Sequence, residues 1–212
     1  IWLLLCSYIF YSVWDWRFLS LILISTIIDF FAGNKIDNAS NKTQRKLFLL
    51  LSLCSNLGIL GFFKYYNFFI ESTANFLLFL GFSPSLKALN IILPVGISFY
   101  TFQTMSYSID IYKNKLSPVR NILDFGLYVS FFPQLVAGPI VRAIDFLPQL
   151  KDKKILSEVD FKSYLILFLV GFAKKACISD NLAPVVDTYF SSPENFTSVS
   201  AWLGVLSYTV QI

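Results

Sequence analysis

The chain has 212 residues, 56% apolar and 14% charged, with a mean hydropathy of +0.63, against roughly 45–50% and 25% in soluble domains. That composition excludes an ordinary soluble enzyme, and the absence of any histidine removes the commonest general base, the commonest metal ligand and every Ser-His or Cys-His arrangement. The net charge of +4 sits in short loops between apolar spans rather than on one face, so it points to a lipid bilayer as partner and not to nucleic acid.

In chain order, Trp2 to Trp14 and Phe18 to Gly33 read as two apolar spans joined by Asp15-Trp16-Arg17, an aromatic and charged corner suited to an interface. A first basic cluster follows at Lys35, Lys42, Arg45 and Lys46. Leu47 to Phe63 then leaves that side, Lys64 snorkels at the far end, and Tyr65 to Phe82 lies near the far interface or is partly inserted. The return is Ala88 to Tyr112, which includes 22 uncharged residues from Ala88 to Ile109. A second basic cluster, Lys113, Lys115 and Arg120, and a third, Lys151, Lys153 and Lys154, put all three loops on the cytoplasmic side by the positive-inside bias.

Between the last two clusters, Asn121 to Leu150 holds a 17-residue uncharged core, Phe125 to Val141, punctuated by Pro133, Gly138 and Pro139. Two crossings of about 20 residues each do not fit there. A broken, re-entrant hairpin does, and irregular backbone at that depth survives only where protein or a watery cavity satisfies it. Downstream, Phe161 to Lys175 leaves again, Asn181 to Pro193 reads as a short surface stretch, and Val199 begins another crossing within 18 uncharged residues, Asn195 to Ile212. The fold class is therefore all-α: a polytopic helical membrane protein with a broken re-entrant segment, without the ten-residue alternation of a barrel. No repeat or linker divides residues 1–212, which read as one membrane domain. The start without Met and the stop at Ile212, within a helical pattern, read as a piece of a longer protein.

Tyr100, Gln103, Tyr107 and Asp110 are spaced three, four and three apart, on one helix face. Lipid cannot be what that face sees. They bond to neighbouring helices, or they line a polar cavity, with Asp110 near the cytoplasmic end and open to solvation. Arg142 follows the break Gly138-Pro139, and a charge there is paired or functional. Its expected helical partner is Asp145, with an anionic donor as the alternative. Lys174 and Lys175 are expected to snorkel at a helix C-terminus. Asp29 and Glu71 read as interface positions, and Cys6, Cys54 and Cys177 as buried core thiols rather than ligands. Asn38, Asn41 and Asn195 open glycosylation sequons, relevant only in a eukaryotic lumen. No phosphate loop, dinucleotide fingerprint, zinc spacing or nucleophile elbow is present.

Two stretches carry a resemblance: Asn90 to Asp110, reading NIILPVGISFYTFQTMSYSID, and Leu127 to Arg142, reading LYVSFFPQLVAGPIVR. Together with Phe62 to Asn67 and Ser179 to Pro184 they resemble the membrane-bound O-acyltransferase family, in its bacterial alginate O-acetylation branch. The resemblance covers essentially the whole chain. It implies an O-acyltransferase of the bacterial inner membrane that passes acetyl groups from a cytoplasmic donor, acetyl-CoA or an acyl carrier, across the bilayer. The acceptor would be a hydroxyl of a cell-surface polysaccharide such as alginate, reached directly or through an extracytoplasmic relay protein. No bound cofactor or metal is implied. The family's catalytic histidine belongs downstream of a helix that begins like Ser207 to Ile212, so no catalytic residue maps onto this chain. What maps is the scaffold: Gln103, Tyr107, Asp110, Gly138, Pro139 and Arg142 would line the cavity or donor route. The rival reading is a transporter or flippase whose broken helices bind substrate without covalent chemistry, and the inverted repeat that would favour it is not found.

The topology is open to direct measurement. Single cysteines placed between Lys35 and Lys46, at Val119, or between Lys151 and Lys154 are expected to react with impermeant reagents only from the cytoplasmic side, and external labelling at any of the three overturns the scheme.

Overall fold

The computed structural model describes residues 1–82, 88–135, 138–152, 155 and 159–212. The described residues contain helices and no strand. They form two compact units, Ile1–Asp152 and Lys153–Ile212.

In the first unit, α1 (Trp2–Asn38) is bent at Asp15, the one residue in it with non-helical backbone (φ −162°, ψ 109°). The Asp15 carboxylate accepts hydrogen bonds from the Arg17 backbone N–H at 3.0 Å and from its guanidinium at 2.6 Å, so it starts the second arm as a cap. The Arg17 guanidinium also holds the Asp15 carboxyl below the usual carboxylate range. The bend closes into a hairpin. A Cβ at Gly126 would lie 3.1 Å from Tyr8 Oη, 3.6 Å from Leu4 Cδ1 and 3.9 Å from Thr26 Cγ2, yet Leu4 and Thr26 would be roughly 33 Å apart in a straight helix. The two expected spans and their corner are thus present.

Next, α2 (Lys42–Leu60) is capped by Asn41, whose side chain accepts from the Gln44 N–H at 2.8 Å. It continues through a π-helical turn, Gly61–Tyr65, into α3 (Tyr66–Phe79). Lys42–Phe79 is, with α1, long and apolar enough to cross a membrane. The chain then returns by a different route from the one expected: only α4 (Ile97–Tyr112) is helical, and residues 88–93 lie in irregular backbone. Pro94 and Gly96 explain this. Gly96 adopts φ +74° at the N-cap, and a Cβ there would meet the Leu135 carbonyl oxygen at 2.5 Å, a geometry open only to glycine. The irregular strip is held by Asn67, which donates to the Leu89 carbonyl at 2.7 Å and accepts from its N–H at 3.0 Å, and by Tyr11, which donates to the Val95 carbonyl at 2.9 Å.

The segment after α4 is broken, as its prolines and glycine require: α5 (Ile122–Ser130), one turn of α6 (Phe132–Leu135), irregular backbone at Pro139 and Ile140, then α7 (Ala143–Lys151). Lys151 closes α7, while Lys153 and Lys154 lie outside the described residues. The core of this unit joins Tyr11, Phe18 and Ile22 of α1 to Tyr100, Tyr107 and Ile111 of α4 and to Phe125 and Tyr128 of α5.

The second unit contains α8 (Phe161–Lys174), a π-helical turn (Lys175–Ser179), α9 (Asp180–Ser191) and α10 (Ser198–Gln211). The stretch expected as surface from Asn181 to Pro193 is therefore mostly helix. Pro184 lies in the turn after the π-helical segment, where the i→i+4 ladder is already interrupted. In place of simple snorkelling, Lys175 pairs with Asp180. A cavity of about 460 Å³ opens between α9 and α10, lined by Pro184, Val185, Tyr189, Phe196 and Leu203. No residue of α8 is buried within the unit, as for a helix apolar on every side.

Two further expectations are corrected. Cys6, Cys54 and Cys177 are exposed, not core; a thiol is apolar enough for a hydrocarbon-facing surface, where burial brings no gain. Asp29 is fully buried rather than interfacial.

Close packing against α4 gives a stability test. A Cβ at Gly33 would stand 2.8 Å from Tyr107 Cε1 and 2.9 Å from Ile111 Cδ1. Gly33→Ala should cost about 1–3 kcal/mol through overpacking, read as a lowered Tm of the full-length protein in detergent, whereas Gly58→Ala, with nothing within 4 Å, should leave Tm unchanged or raised.

Candidate functional site

The polar stripe predicted on α4 is buried along its whole length. Tyr100, Gln103, Tyr107 and Asp110 each keep 3% or less of their surface exposed. Gln103 donates from Nε2 to the Tyr128 carbonyl at 2.6 Å, and the Tyr128 hydroxyl lies 3.2 Å from the Gln103 carbonyl and 3.1 Å from that of Val141. Tyr107 accepts from the Val119 N–H at 3.1 Å and packs its ring 4.4 Å from that of Phe125. Tyr100 Oη is buried and has no hydrogen-bond partner among the described residues.

At the end of the stripe, Arg142 meets Asp110. Arg142 donates from Nη2 to Oδ1 at 2.5 Å and from Nε to Oδ2 at 3.2 Å, a two-point contact in which Asp110 is buried and about half of the arginine side chain remains exposed. The expected partner, Asp145, is not the one used. Arg142 is the N-cap of α7 with extended backbone (φ −75°, ψ 148°), so helical i,i+3 adjacency does not apply to its side chain. The expected solvation of Asp110 is corrected by the same contact.

Gly138 shapes the break. A Cβ there would lie 2.4 Å from Gln134 Cα, and the Gly138 N–H donates to the Gln134 carbonyl at 3.1 Å, so α6 closes on itself before the chain passes through exposed Pro139 to Arg142. The structure thus brings Gln103, Asp110 and Arg142 around Tyr128, while Tyr107 faces the α4–α5 loop and Pro139 makes none of these contacts.

That loop is fixed by arginines. Arg45 donates to the Ile111 and Tyr112 carbonyls at 3.2 and 3.1 Å and to Asn114 Oδ1 at 2.6 Å, satisfying the end of α4. Arg120 donates to Asn34 at 3.0 Å and to Asp37 at 3.2 Å. Beneath them lies a cavity of about 530 Å³ lined by Lys115, Val119, Arg120, Asp124 and Leu147. The first two basic clusters of the sequence are thereby joined at one end of α4.

Sequence reasoning missed a second polar face of α4. Ser108 and Thr104 look toward α1 and α2, where Asp29 accepts from Ser52 at 2.5 Å and from Asn56 at 2.7 Å. The signal was present as hydroxyl or amide residues one turn apart, Ser52 with Asn56 and Thr104 with Ser108. Among the described residues no group of His, Cys, Asp and Glu could hold a transition metal.

The pairing can be tested by substitution in the full-length protein. Arg142→Ala should lower the Tm in detergent, because a buried carboxylate loses its counter-charge, and adding Asp110→Asn should restore it. Adding Asp145→Asn instead should restore nothing; recovery by that variant would return the pair to the helical register.

Residues 10–210 match the family model described as MBOAT, membrane-bound O-acyltransferase family. The chain is 38% identical over 99% of its length to a "Probable alginate O-acetylase" of Pseudomonas syringae pv. tomato and, with the same values, to one of Pseudomonas aeruginosa, covering 40% of each. It is 34% identical over its whole length to a "Peptidoglycan O-acetyltransferase" of Helicobacter pylori, covering 44% of it. The chain spans about two-fifths of the length of these curated relatives. No solved structure matches. The family model's span, the 34–38% identities and the buried stripe that coincides with the Asn90–Asp110 motif lead to one conclusion: the chain belongs to the membrane-bound O-acyltransferase family.

Proposed function

We propose that the full-length protein is a multi-pass O-acetyltransferase of the bacterial inner membrane that moves acetyl groups from a cytoplasmic donor to hydroxyls of a cell-surface polysaccharide of the alginate type. The observation that carries this reading is the 38% identity to alginate O-acetylases across nearly the whole chain. In the reaction, an acceptor hydroxyl oxygen attacks the acetyl thioester carbonyl, its proton passes to a base, and the thiol leaves. The 212 residues hold no imidazole, so a histidine base would come from the part of the relatives' length that this chain does not span, and a relay hydroxyl on an extracytoplasmic partner would stand between donor and sugar.

What these residues contribute is placement. The exposed part of Arg142 presents guanidinium donors held at a fixed angle by Asp110, a geometry suited to the phosphates of coenzyme A or of an acyl carrier's phosphopantetheine. The loop cavity with Lys115 and Arg120 lies at the end of α4 that carries the basic clusters, where an anionic donor would approach. Residues 138–141 give a non-helical stretch with its backbone groups beside that arginine.

Expression of the full-length gene in a strain deleted for its own polysaccharide O-acetylase should restore O-acetyl groups, measured by proton NMR of the purified polymer. Arg142→Lys keeps a cation opposite Asp110 but loses the fork, and should lower acetylation roughly tenfold or more at equal membrane abundance. No acetylation by the wild-type protein would overturn the function; undiminished acetylation by Arg142→Lys would overturn the donor contact.

A further inference from the structure

Where α2 begins and α4 ends, arginines and lysines have different surroundings. Arg120 is paired with Asp37. Arg45 reaches from α2 to the Ile111 and Tyr112 carbonyls at 3.2 and 3.1 Å and to Asn114 Oδ1 at 2.6 Å, with its guanidinium carbon 5.7 Å from the centre of the Tyr112 ring. All three acceptors are neutral oxygens, so the charge of Arg45 is left uncompensated. Lys42 and Lys46 flank Arg45 on α2, and Lys113 stands between Tyr112 and Asn114, two of the residues that Arg45 touches. The three lysines are exposed, and among the described residues neither they nor Arg45 forms an ion pair.

Four cations gathered without an acid repel one another. The start of α2 adds to the cost, since no acidic residue occupies its first turn and cations at a helix N-terminus oppose the dipole. A counter-charge from outside the chain relieves both, and the surface beside the lysines indicates what carries it. Lys42 and Lys46 are neighbours at i,i+4, and the same helix runs on into exposed Leu47, Leu50 and Leu51. Leu50 follows Lys46 by one turn, so cation and exposed leucine share one stripe of a helix long and apolar enough to cross a membrane. A soluble anion matches only the lysines. A lipid with an anionic headgroup matches both, its phosphate at the lysines and its chains along the leucines.

We propose that Lys42, Lys46 and Lys113 bind the headgroup of an anionic phospholipid whose acyl chains lie along Leu47, Leu50 and Leu51. The site is independent of the acetyl-transfer reading, and none of these residues lines the loop cavity. Bound lipid ties the start of α2 to the end of α4 from outside, as Arg45 does from within.

The test is reconstitution of the full-length protein in nanodiscs holding equal parts of phosphatidylglycerol and phosphatidylcholine, followed by native mass spectrometry of the lipids it retains. Phosphatidylglycerol should be retained in roughly fivefold excess or more, and its presence should raise the Tm above that in phosphatidylcholine alone. Lys42→Gln, Lys46→Gln and Lys113→Gln together should bring the excess close to parity, whereas Lys162→Gln with Lys174→Gln should leave it unchanged. Equal retention of the two lipids by the wild-type protein overturns the site, as does an excess that survives the triple substitution. An equal rise in Tm from soluble glycerol phosphate or coenzyme A in phosphatidylcholine nanodiscs overturns it too, because the anion then needs no chains. Nanodiscs leave both faces open, so neither the sidedness of the chain nor a failure of acetyl transfer alters the result.

Discussion

A helix with polar side chains on two faces has only a narrow strip left for hydrocarbon, and α4 is such a helix, with Phe102 its one exposed residue. Gln103, Tyr107 and Asp110 reach toward α5, the following loop and α7, while Thr104 and Ser108 reach toward α1 and α2. Lipid offers nothing to these groups, so the surrounding elements must cover both polar faces of α4. Magnitudes show which contacts decide this. A hydrogen bond between membrane helices averages only about 0.6 kcal/mol, but an ionised carboxylate left without compensation costs several. Asp29 and Asp110, one on each side of the axis, therefore constrain the arrangement more than the neutral bonds between them.

The two acids are compensated by different means. Asp110 meets an arginine whose backbone is extended and whose outer side remains accessible. Asp29 meets a closed shell of small polar residues. One arrangement keeps a cation available at the surface of the unit, and the other removes a carboxylate from any contact with it. Both rest on close backbone approach: Gly33 lets α1 reach Tyr107, and Gly138 lets the chain fold back on Gln134 before it delivers Arg142.

How much of this could be read in advance follows from range. The α4 stripe was legible because 3.6-residue periodicity is local, and the break at Gly138-Pro139 because proline and glycine act on their own backbone. The Arg142 partner was not, since the i,i+3 rule presumes that both residues are inside a helix and Arg142 stands just outside one. Asp29 looked interfacial because Lys35 follows soon after it in the chain; its depth depends on partners contributed by α2 and α4. The residues from Ala88 to Asn90 read as part of a crossing because they lack charge, yet charge-free segments need not be helical when Asn67 satisfies their amides.

The bend at Asp15 has a consequence for orientation. As a straight rod, α1 would measure roughly 55 Å, nearly twice a hydrocarbon core of about 30 Å, and counting it as one crossing would deliver its two ends to opposite compartments. In the two-crossing topology predicted from the sequence, the fold at Asp15 would bring both ends of α1 to one compartment, so that this single extended residue would set the odd or even parity of crossings for the segments that follow.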